Sequence, residues 1–466
     1  MDKNNIFHAY DIRGVYPGEF GLEDAYRIGW AFAKYLKTDL KNPPSASGGG
    51  LPLEVVVGMD MRGSSPFLAR EVIRGLNEQG VDVAEIGRVP TPAFYYAVAF
   101  KDFPAGLMIT ASHNPKEFNG VKFCGAKASA IGLGSGLEKI QAHFLSSETA
   151  QKITPRGKLR SVEGINAAYV NQELSYLNPA KIKKLKITAD PANCMGALEL
   201  EELFQRIDCD PIKINWELNG NMPVHEANPI KSETLRQLQA VIKNEGADFG
   251  IATDGDGDRI AFLDEQAEVI PSAIVIGLVA QELLKKHPGA KIGYDLRSSK
   301  TVKEMIEAAG GEPVETMIGH SLIKALMKEK DLLFSGELSS HFYFRENFNA
   351  ESPIFVAAIL LLIRSEMNKP FSEIWRPFQK YFHSGEINFE VSDKPAMLEK
   401  LEKKYLPDRK AGGKINKLDG LKIEFSDWWF SVRPSNTEPF LRLNLEADSE
   451  SLMKEKIEEI SKEITN

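Results

Sequence analysis

An α/β protein of several domains, closing in a smaller α+β domain, is what the chain predicts from three features. Its 466 residues exceed what one hydrophobic core organises and imply about three or four domains. Short apolar runs alternate with segments of helical spacing from Val55 to Thr316, the pattern of strand–helix units on parallel or mixed sheets. After Asp419-Gly420, a turn signal, the pattern becomes three strands in close succession and one helix.

Val55-Val56-Val57 reads as a buried strand. Ser64-Ser65-Pro66 then offers capping residues and a proline at a first helical position, and Leu68, Val72, Ile73 and Leu76 form the apolar face of that helix. Lys186 to Ala189 reads as a strand, Ala197 to Ile207 and Ser232 to Ile242 as helices, and Phe249 to Ala252 as a strand. Helix Ser272 to Lys286, strand Lys291 to Tyr294, helix Lys300 to Ala309 and strand Pro313 to Thr316 continue the alternation. In the last part Leu421 to Phe425, Trp428 to Val432 and Phe440 to Leu445 read as strands. The final helix puts Leu452, Met453, Ile457, Ile460 and Ile464 on one face. Pro43 to Pro52, with Gly48-Gly49-Gly50, reads as a flexible loop.

A net charge of -8 gives no general attraction to nucleic acid or anionic membranes, so an anionic ligand must meet local positive charge. Cys124, Cys194 and Cys209 make no disulfide framework and no CxxC pair, which fits a reducing cytoplasm. The N-terminus has no apolar signal-peptide core. The longest apolar run, Ile354 to Ile363, falls short of the about 20 residues a spanning helix needs and reads as a buried helix.

Asp254, Asp256 and Asp258 stand at i, i+2 and i+4, a spacing that turns their carboxylates to one side of an extended loop. Gly255 and Gly257 let the backbone fold around an ion, and oxygen-only ligands select a hard cation such as Mg2+. An EF-hand is excluded, because Arg259 stands where its sharp turn needs glycine and Phe249 to Ala252 is strand-like. Three mutually repelling carboxylates are costly without a cation, and this favours metal binding over a solvated Asp-Gly turn.

Ser112, in Thr110-Ala111-Ser112-His113-Asn114-Pro115, is a loop hydroxyl and a weak signal alone, since neither a G-x-S-x-G elbow nor a triad surrounds it. Beside a metal loop it becomes a candidate phosphoryl carrier. Arg433, Ser435, Asn436 and Thr437 crowd the segment before Pro439, and with the loop N–H groups they could grip a phosphate. Glu337 and Ser339 would share a face if extended and could read vicinal hydroxyls. A solvated turn is an equal reading of that segment.

In this order the four segments resemble the α-D-phosphohexomutase family, closest to its bacterial phosphomannomutase/phosphoglucomutase branch. Ala9-Tyr10-Asp11-Ile12-Arg13-Gly14 and Gly319-His320-Ser321 extend the resemblance over essentially the whole chain. It implies four domains around a central cleft, three similar mixed-sheet α/β units and a smaller C-terminal α+β domain. The expected limits are 1–156 with the phosphoserine loop, 157–266 with the metal loop, 267–380 with the sugar loop and 381–466 with the phosphate loop. Ser112 would carry the phosphoryl group and, with Asp254, Asp256 and Asp258, hold Mg2+. Tyr10, His113, Arg259, Arg297, His320, Glu337, Ser339, Arg433, Ser435, Asn436, Thr437 and Arg442 would bind substrate. Arg13, Lys122 and His341 would complete the catalytic set, with Lys122 or His341 as general base. For Lys122, plain attraction of phosphate is an equal reading.

The activity implied is reversible phosphoryl transfer between positions 1 and 6 of a mannose or glucose phosphate, through a hexose 1,6-bisphosphate that is also the activator. A cytoplasmic monomer, with no nucleic-acid or membrane partner, is the expectation. Two residues depart from the related branch, which has Met at the Leu338 position and Gly at the Ser340 position. The serine puts the loop backbone beside His341, and so the sugar fit, in question. Amino-sugar phosphate mutases are the nearest rivals, and Leu338 argues against them because that branch has a polar residue there. A Mg2+-dependent sugar phosphatase and a sugar-phosphate-binding protein are the remaining alternatives.

Overall fold

A computed structural model describes residues 3–39, 53–149, 152–405, 413–435 and 440–465. The loop expected at Pro43 to Pro52, and Asn436 and Thr437, lie outside the described residues.

Four sheets follow one another along the chain. The first is built from β1 (Ile12–Val15), β2 (Glu54–Met59), β3 (Asp82–Arg88), β4 (Ala105–Ile109), β5 (Phe118–Gly125) and β6 (Leu159–Ser161), in the order β1-β5-β4-β2-β3-β6. β4, β2, β3 and β6 run parallel; β5 lies antiparallel beside β4, and β1 antiparallel beside β5. β6 comes from beyond residue 156 and pairs with β3, so this sheet extends past the limit expected for the first domain. The second sheet orders β7 (Leu185–Asp190), β8 (Cys209–Lys213), β9 (Phe249–Thr253) and β10 (Ile260–Leu263) as β10-β9-β7-β8. The third orders β11 (Lys291–Asp295), β12 (Glu312–Thr316), β13 (Leu332–Gly336), β14 (Phe342–Phe344) and β15 (Ala350–Glu351) as β12-β11-β13-β14-β15. Both are mixed. The fourth, β16 (Phe382–Glu390), β17 (Lys414–Asn416), β18 (Leu421–Glu424), β19 (Trp428–Pro434) and β20 (Phe440–Ala447), is antiparallel throughout.

Alternation along β2 shows how the first sheet is covered on both faces. Val55 and Val57 enter the core under helices Leu22–Thr38 and Ser65–Asn77, while Val56 enters a second core. That second core runs on through the next two domains. It takes in the nearly all-apolar helices Thr91–Phe100, Ser272–Leu284 and Pro353–Met367, which are buried around most of their circumference. The fourth domain has a core of its own, under the final helix Glu450–Thr465.

Most expected elements stand within a residue or three of their expected ends, and two details differ. Ser232–Leu235 is a 3₁₀ turn, and the α-helix is Arg236–Glu245, capped by Gly246 at φ +62°. Neither Ser64 nor Ser65 caps helix Ser65–Asn77 through its side chain. The Ser65 hydroxyl donates instead to Asp60 Oδ1 at 2.5 Å, because that buried carboxylate needs donors.

Helices Leu22–Thr38 and Ser65–Asn77 touch backbone to backbone through reciprocal glycines. A Cβ on Gly29 would lie 2.1 Å from the Val72 carbonyl oxygen, and one on Gly75 2.3 Å from that of Tyr26. We expect Gly29→Ala and Gly75→Ala each to destabilise the first domain by about 1–3 kcal/mol. Thermal unfolding should show a lower midpoint for both, and for neither when alanine replaces the open Gly63.

Candidate active site

The candidate residues come from the carboxyl ends of strands in all four domains, the usual place for ligands on such sheets. Ser112 follows β4, the Asp254 loop follows β9, the Glu337 loop follows β13, and Arg433 lies at the end of β19.

Ser112 is buried and held at φ +50°, a left-handed conformation uncommon for serine. Its N–H donates to Thr110 Oγ1 at 2.9 Å. Its hydroxyl lies 3.2 Å from Asp254 Oδ2 and 3.2 Å from His113 Nδ1. The loop is fixed from below by Arg62, a fully buried arginine that composition and spacing did not single out. Arg62 Nη2 donates to the carbonyls of Ser112 (2.8 Å) and Asn114 (2.7 Å), and Nη1 to those of Pro115 (2.6 Å) and Phe118 (3.0 Å). Asp60 Oδ2 accepts from Arg62 Nε at 3.1 Å. Arg13 pairs with Asp11 and reaches the Asn114 side chain on the same loop.

The aspartate loop is bent rather than extended. The N–H groups of Asp258 and Arg259 both donate to Asp254 Oδ1, at 3.1 and 3.2 Å, and fold the loop back on that carboxylate. Bending still brings Asp254, Asp256 and Asp258 together, with one oxygen of each within 4.8 Å of the others, all buried. Gly255 permits the contact with the serine loop, since a Cβ there would lie 2.3 Å from the Ser112 carbonyl oxygen. Lys122, buried on β5, donates to Asp256 Oδ2 and Asp258 Oδ2 at 2.6 Å each. Thr91 donates to Asp256 Oδ2 at 2.6 Å. His341 Nε2 lies 3.2 Å from Asp258 Oδ1, and Arg259 Nε 3.8 Å from Asp254 Oδ2.

The charge balance of this cluster is uneven. Burial, with repulsion from Asp258 and Asp256, holds the Asp254 carboxyl well above the usual carboxylate range. Burial opposes the charge of Asp258 too, but Lys122 and His341 outweigh it and keep that carboxyl well below the range. Asp256 Oδ1 is buried with no hydrogen-bond partner. An all-oxygen set in a tight group, with one carboxylate resisting ionisation and one orphaned oxygen, fits a hard divalent cation.

Burial alone would lower the pKa of Lys122, yet Asp256 and Asp258 raise it well above its ordinary value. Lys122 thus brings positive charge to the carboxylate cluster. His341 is likewise raised to about 9, burial being outweighed chiefly by Asp258. Burial, with Arg259 and Arg13, drives His113 down to about 2. His320 is held well below its ordinary value by burial and by Lys324 and Lys122. Its ring packs edge-on to Tyr10 at 5.1 Å between centroids.

Glu337 to His341 forms a tight turn, not an extended run, with Glu337 N–H donating to the His341 carbonyl at 2.9 Å. Glu337 accepts from the Tyr343 hydroxyl at 2.5 Å and from Gly319 N–H at 3.1 Å. Burial opposes its charge, but His341 and these donors keep its carboxyl at about 2. Ser339 Oγ lies 2.9 Å from His341 Nδ1. Ser340 adopts φ +65°, so the turn keeps a glycine-like backbone despite the serine. Two contacts hold it there: Ser272 Oγ to Ser340 Oγ at 2.9 Å, and Ile260 N–H to the Ser340 carbonyl at 3.1 Å.

On the far side Tyr10, Arg433, Ser435 and Arg442 line one recess with Asp419. Arg297 lies beside it, its guanidinium on Asp295 through Nε (2.9 Å) and an Nη2 contact. Glu386 joins Arg297, Arg433 and Arg442, and the sequence reading missed it. Arg62 had a legible signal, because Gly58-Met59-Asp60-Met61-Arg62 is repeated as Gly293-Tyr294-Asp295-Leu296-Arg297, each at the end of a strand. The pairing is repeated with it: the arginine N–H meets its aspartate at 2.9 Å in both.

Known proteins place this architecture. Residues 4–151, 167–267 and 272–381 match the phosphoglucomutase/phosphomannomutase alpha/beta/alpha domains I, II and III, and residues 386–463 match the C-terminal domain of the same family. A phosphomannomutase of Methanocaldococcus jannaschii is 37% identical, over 98% of this chain and 96% of its own. A phosphomannomutase/phosphoglucomutase of Pseudomonas syringae is 35% identical, over 96% and 92%. The crystal structure of a Burkholderia thailandensis phosphoglucomutase/phosphomannomutase family protein superposes with a TM-score of 0.87 at 28% identity, covering 99% of this chain and 97% of that one. With all four domains matched in order, this chain belongs to the phosphoglucomutase/phosphomannomutase family.

Proposed function

We propose that this enzyme is a phosphohexomutase, moving a phosphoryl group reversibly between the 1- and 6-positions of mannose or glucose phosphate by way of Ser112. The observation that carries the reading is Ser112 Oγ standing 3.2 Å from Asp254 Oδ2, where a hydroxyl from one domain meets a three-carboxylate cluster from the next.

Phosphorylated Ser112 gives its phosphoryl group to the free 6-hydroxyl of a hexose 1-phosphate. The P–Oγ bond breaks, a P–O6 bond forms, and the hydroxyl proton passes to a base. The 1,6-bisphosphate turns round within the cleft, its other phosphoryl group returns to Ser112 Oγ, and the proton goes back to O1. Asp254, Asp256 and Asp258, with the serine phosphate, would hold Mg2+, which neutralises charge on the transferring oxygens. Lys122 serves as a fixed ammonium at the same place, and Arg13 and Arg259 add cationic character around it. His341 is the base: its imidazole bridges the carboxylate cluster and the sugar turn, 3.2 Å from Asp258 and 2.9 Å from Ser339. Glu337 and Ser339 read the sugar hydroxyls. Arg433, Ser435, Asn436, Thr437, Arg442 and Arg297 receive the phosphate that is not reacting. Tyr10, His113 and His320 line the space between. The enzyme works as a cytoplasmic monomer, and hexose 1,6-bisphosphate primes it by phosphorylating Ser112.

A phosphorus NMR time course tests the reaction, with Mg2+, a trace of glucose 1,6-bisphosphate, and mannose 1-phosphate or glucose 1-phosphate. The matching 6-phosphates should appear; inorganic phosphate instead would make the protein a phosphatase. If neither sugar is turned over, the assay moves to amino-sugar phosphates. Chelation of divalent metal should abolish turnover, and Mg2+ should restore it.

Ser112→Ala should remove turnover without changing the thermal unfolding profile, and wild-type rates in that variant would defeat the assignment. His341→Gln should lower kcat by about 10²-fold or more. A base must be neutral to work, so the wild-type rate should climb with pH as His341 loses its proton. That ascending limb should be missing from the His341→Gln profile.

A further inference from the structure

Where the third and fourth domains meet, one carboxylate is shared among three arginines. Glu386 Oε2 lies 3.3 Å from Arg297 Nη1 of the third domain and 3.3 Å from Arg433 Nη2 of the fourth, and Oε1 lies 3.3 Å from Arg442 Nη1. None of these contacts is the short, paired fork that a carboxylate makes with a single guanidinium. Arg433 Nε is buried with no hydrogen-bond partner, so its donor capacity is not used up by Glu386.

The position of Glu386 is a built feature of the strand. The pairing of β16 with β20 shifts register between His383 and Glu386, and Gly385 adopts φ +70°. A bulge of this kind re-aims a side chain, and here the side chain meets the three guanidiniums. The same segment is tied to the third domain at a second point, where His383 Nε2 lies 3.0 Å from the Arg297 carbonyl.

Charge makes the arrangement one of exchange. Three guanidiniums within reach of one another repel, and Glu386 sits among them while Arg297 also holds Asp295. A phosphate dianion presents more charge and more acceptor oxygens to the same donors than one carboxylate does. We propose that Glu386 is a resident stand-in for the non-reacting phosphate: it gathers the three arginines across the domain boundary, and the incoming dianion displaces it from them. The proposal rests on the reading above that Arg433 and its neighbours receive that phosphate. Glu386 is a positioning residue, and its cost is competition, because an anion binding here must first dislodge an internal one.

The test compares Glu386→Gln, Glu386→Asp and Arg433→Ala with the wild-type enzyme, reading competitive inhibition by inorganic phosphate and KM for a hexose 1-phosphate. Glu386→Gln should lower the phosphate inhibition constant by about tenfold and lower KM with it, since a neutral side chain no longer repels the incoming anion. Glu386→Asp, which keeps the charge, should stay near wild type and also keeps the comparison readable if the glutamine variant is unstable. A glutamine variant with an unchanged or higher inhibition constant overturns the stand-in, and so does an aspartate variant that binds phosphate tenfold better. Arg433→Ala should raise the constant. If it does not, the phosphate seat itself is misassigned, and that failure is distinct from a failure of Glu386.

Discussion

The structure turns on the crowding of three carboxylates in one buried loop. Asp254, Asp256 and Asp258 cannot share so small a volume as three bare anions, and the protein meets that demand with groups from other domains. Lys122 and Thr91 come from the first domain and His341 from the third. Removing one partner of such a buried pair costs about 3–5 kcal/mol, so the loop acts as a clasp across three domains. The same demand puts a hydroxyl where it can be useful. The glycine that lets the loop bend, Gly255, also lets it press against the Ser112 carbonyl.

Apolar packing follows the same division. The first three domains share a continuous core that passes from Phe94 through Leu200 and Val279 to Leu360. The fourth keeps a separate core, and its contacts with the third are polar: Lys422 and Asn416 on Glu315, Lys300 N–H on Glu446, and Arg297 on Glu386. Interfaces of that character hold domains loosely enough to move. On the proposed mechanism, a ligand whose two phosphates exchange places needs a wall that can give. The polar seam lies at the fourth domain, while the carboxylate cluster is held by groups from the domains that share a core.

Local pattern made much of this legible. Buried parallel strands such as β2, β7 and β9 announce themselves as apolar runs, and the aspartate spacing pointed to a cluster that the fold does assemble, by bending the loop. Among what escaped, two kinds show the reason. β16 escaped because it is a half-exposed edge strand with little apolar alternation. Arg62 and Glu386 escaped because their roles lie in partners far along the chain, 50 residues away for Ser112 and 89 for Arg297. Ser340 shows the limit of reading backbone from residue type. Serine in place of glycine suggested a changed turn, yet a hydroxyl from Ser272 and a pairing with Ile260 hold the left-handed conformation. Tertiary contacts can outweigh the cost of a single strained residue.

The repeated Gly-x-Asp-x-Arg unit shows how one local structure acquires two uses. In both copies the strand ends, the aspartate turns back on the arginine N–H, and the carboxylate fixes the guanidinium. In the first domain the free edge of Arg62 faces four backbone carbonyls and is fully buried, so its donors are consumed in shaping the serine loop. In the third domain Arg297, also held by its aspartate, turns Nη1 to Glu386, a carboxylate shared with Arg433 and Arg442. An arginine whose donors are saturated by immobile carbonyls is architecture. One whose donors meet an exchangeable anion is a receptor, and what separates the two is only what the neighbouring chain sets against the guanidinium edge.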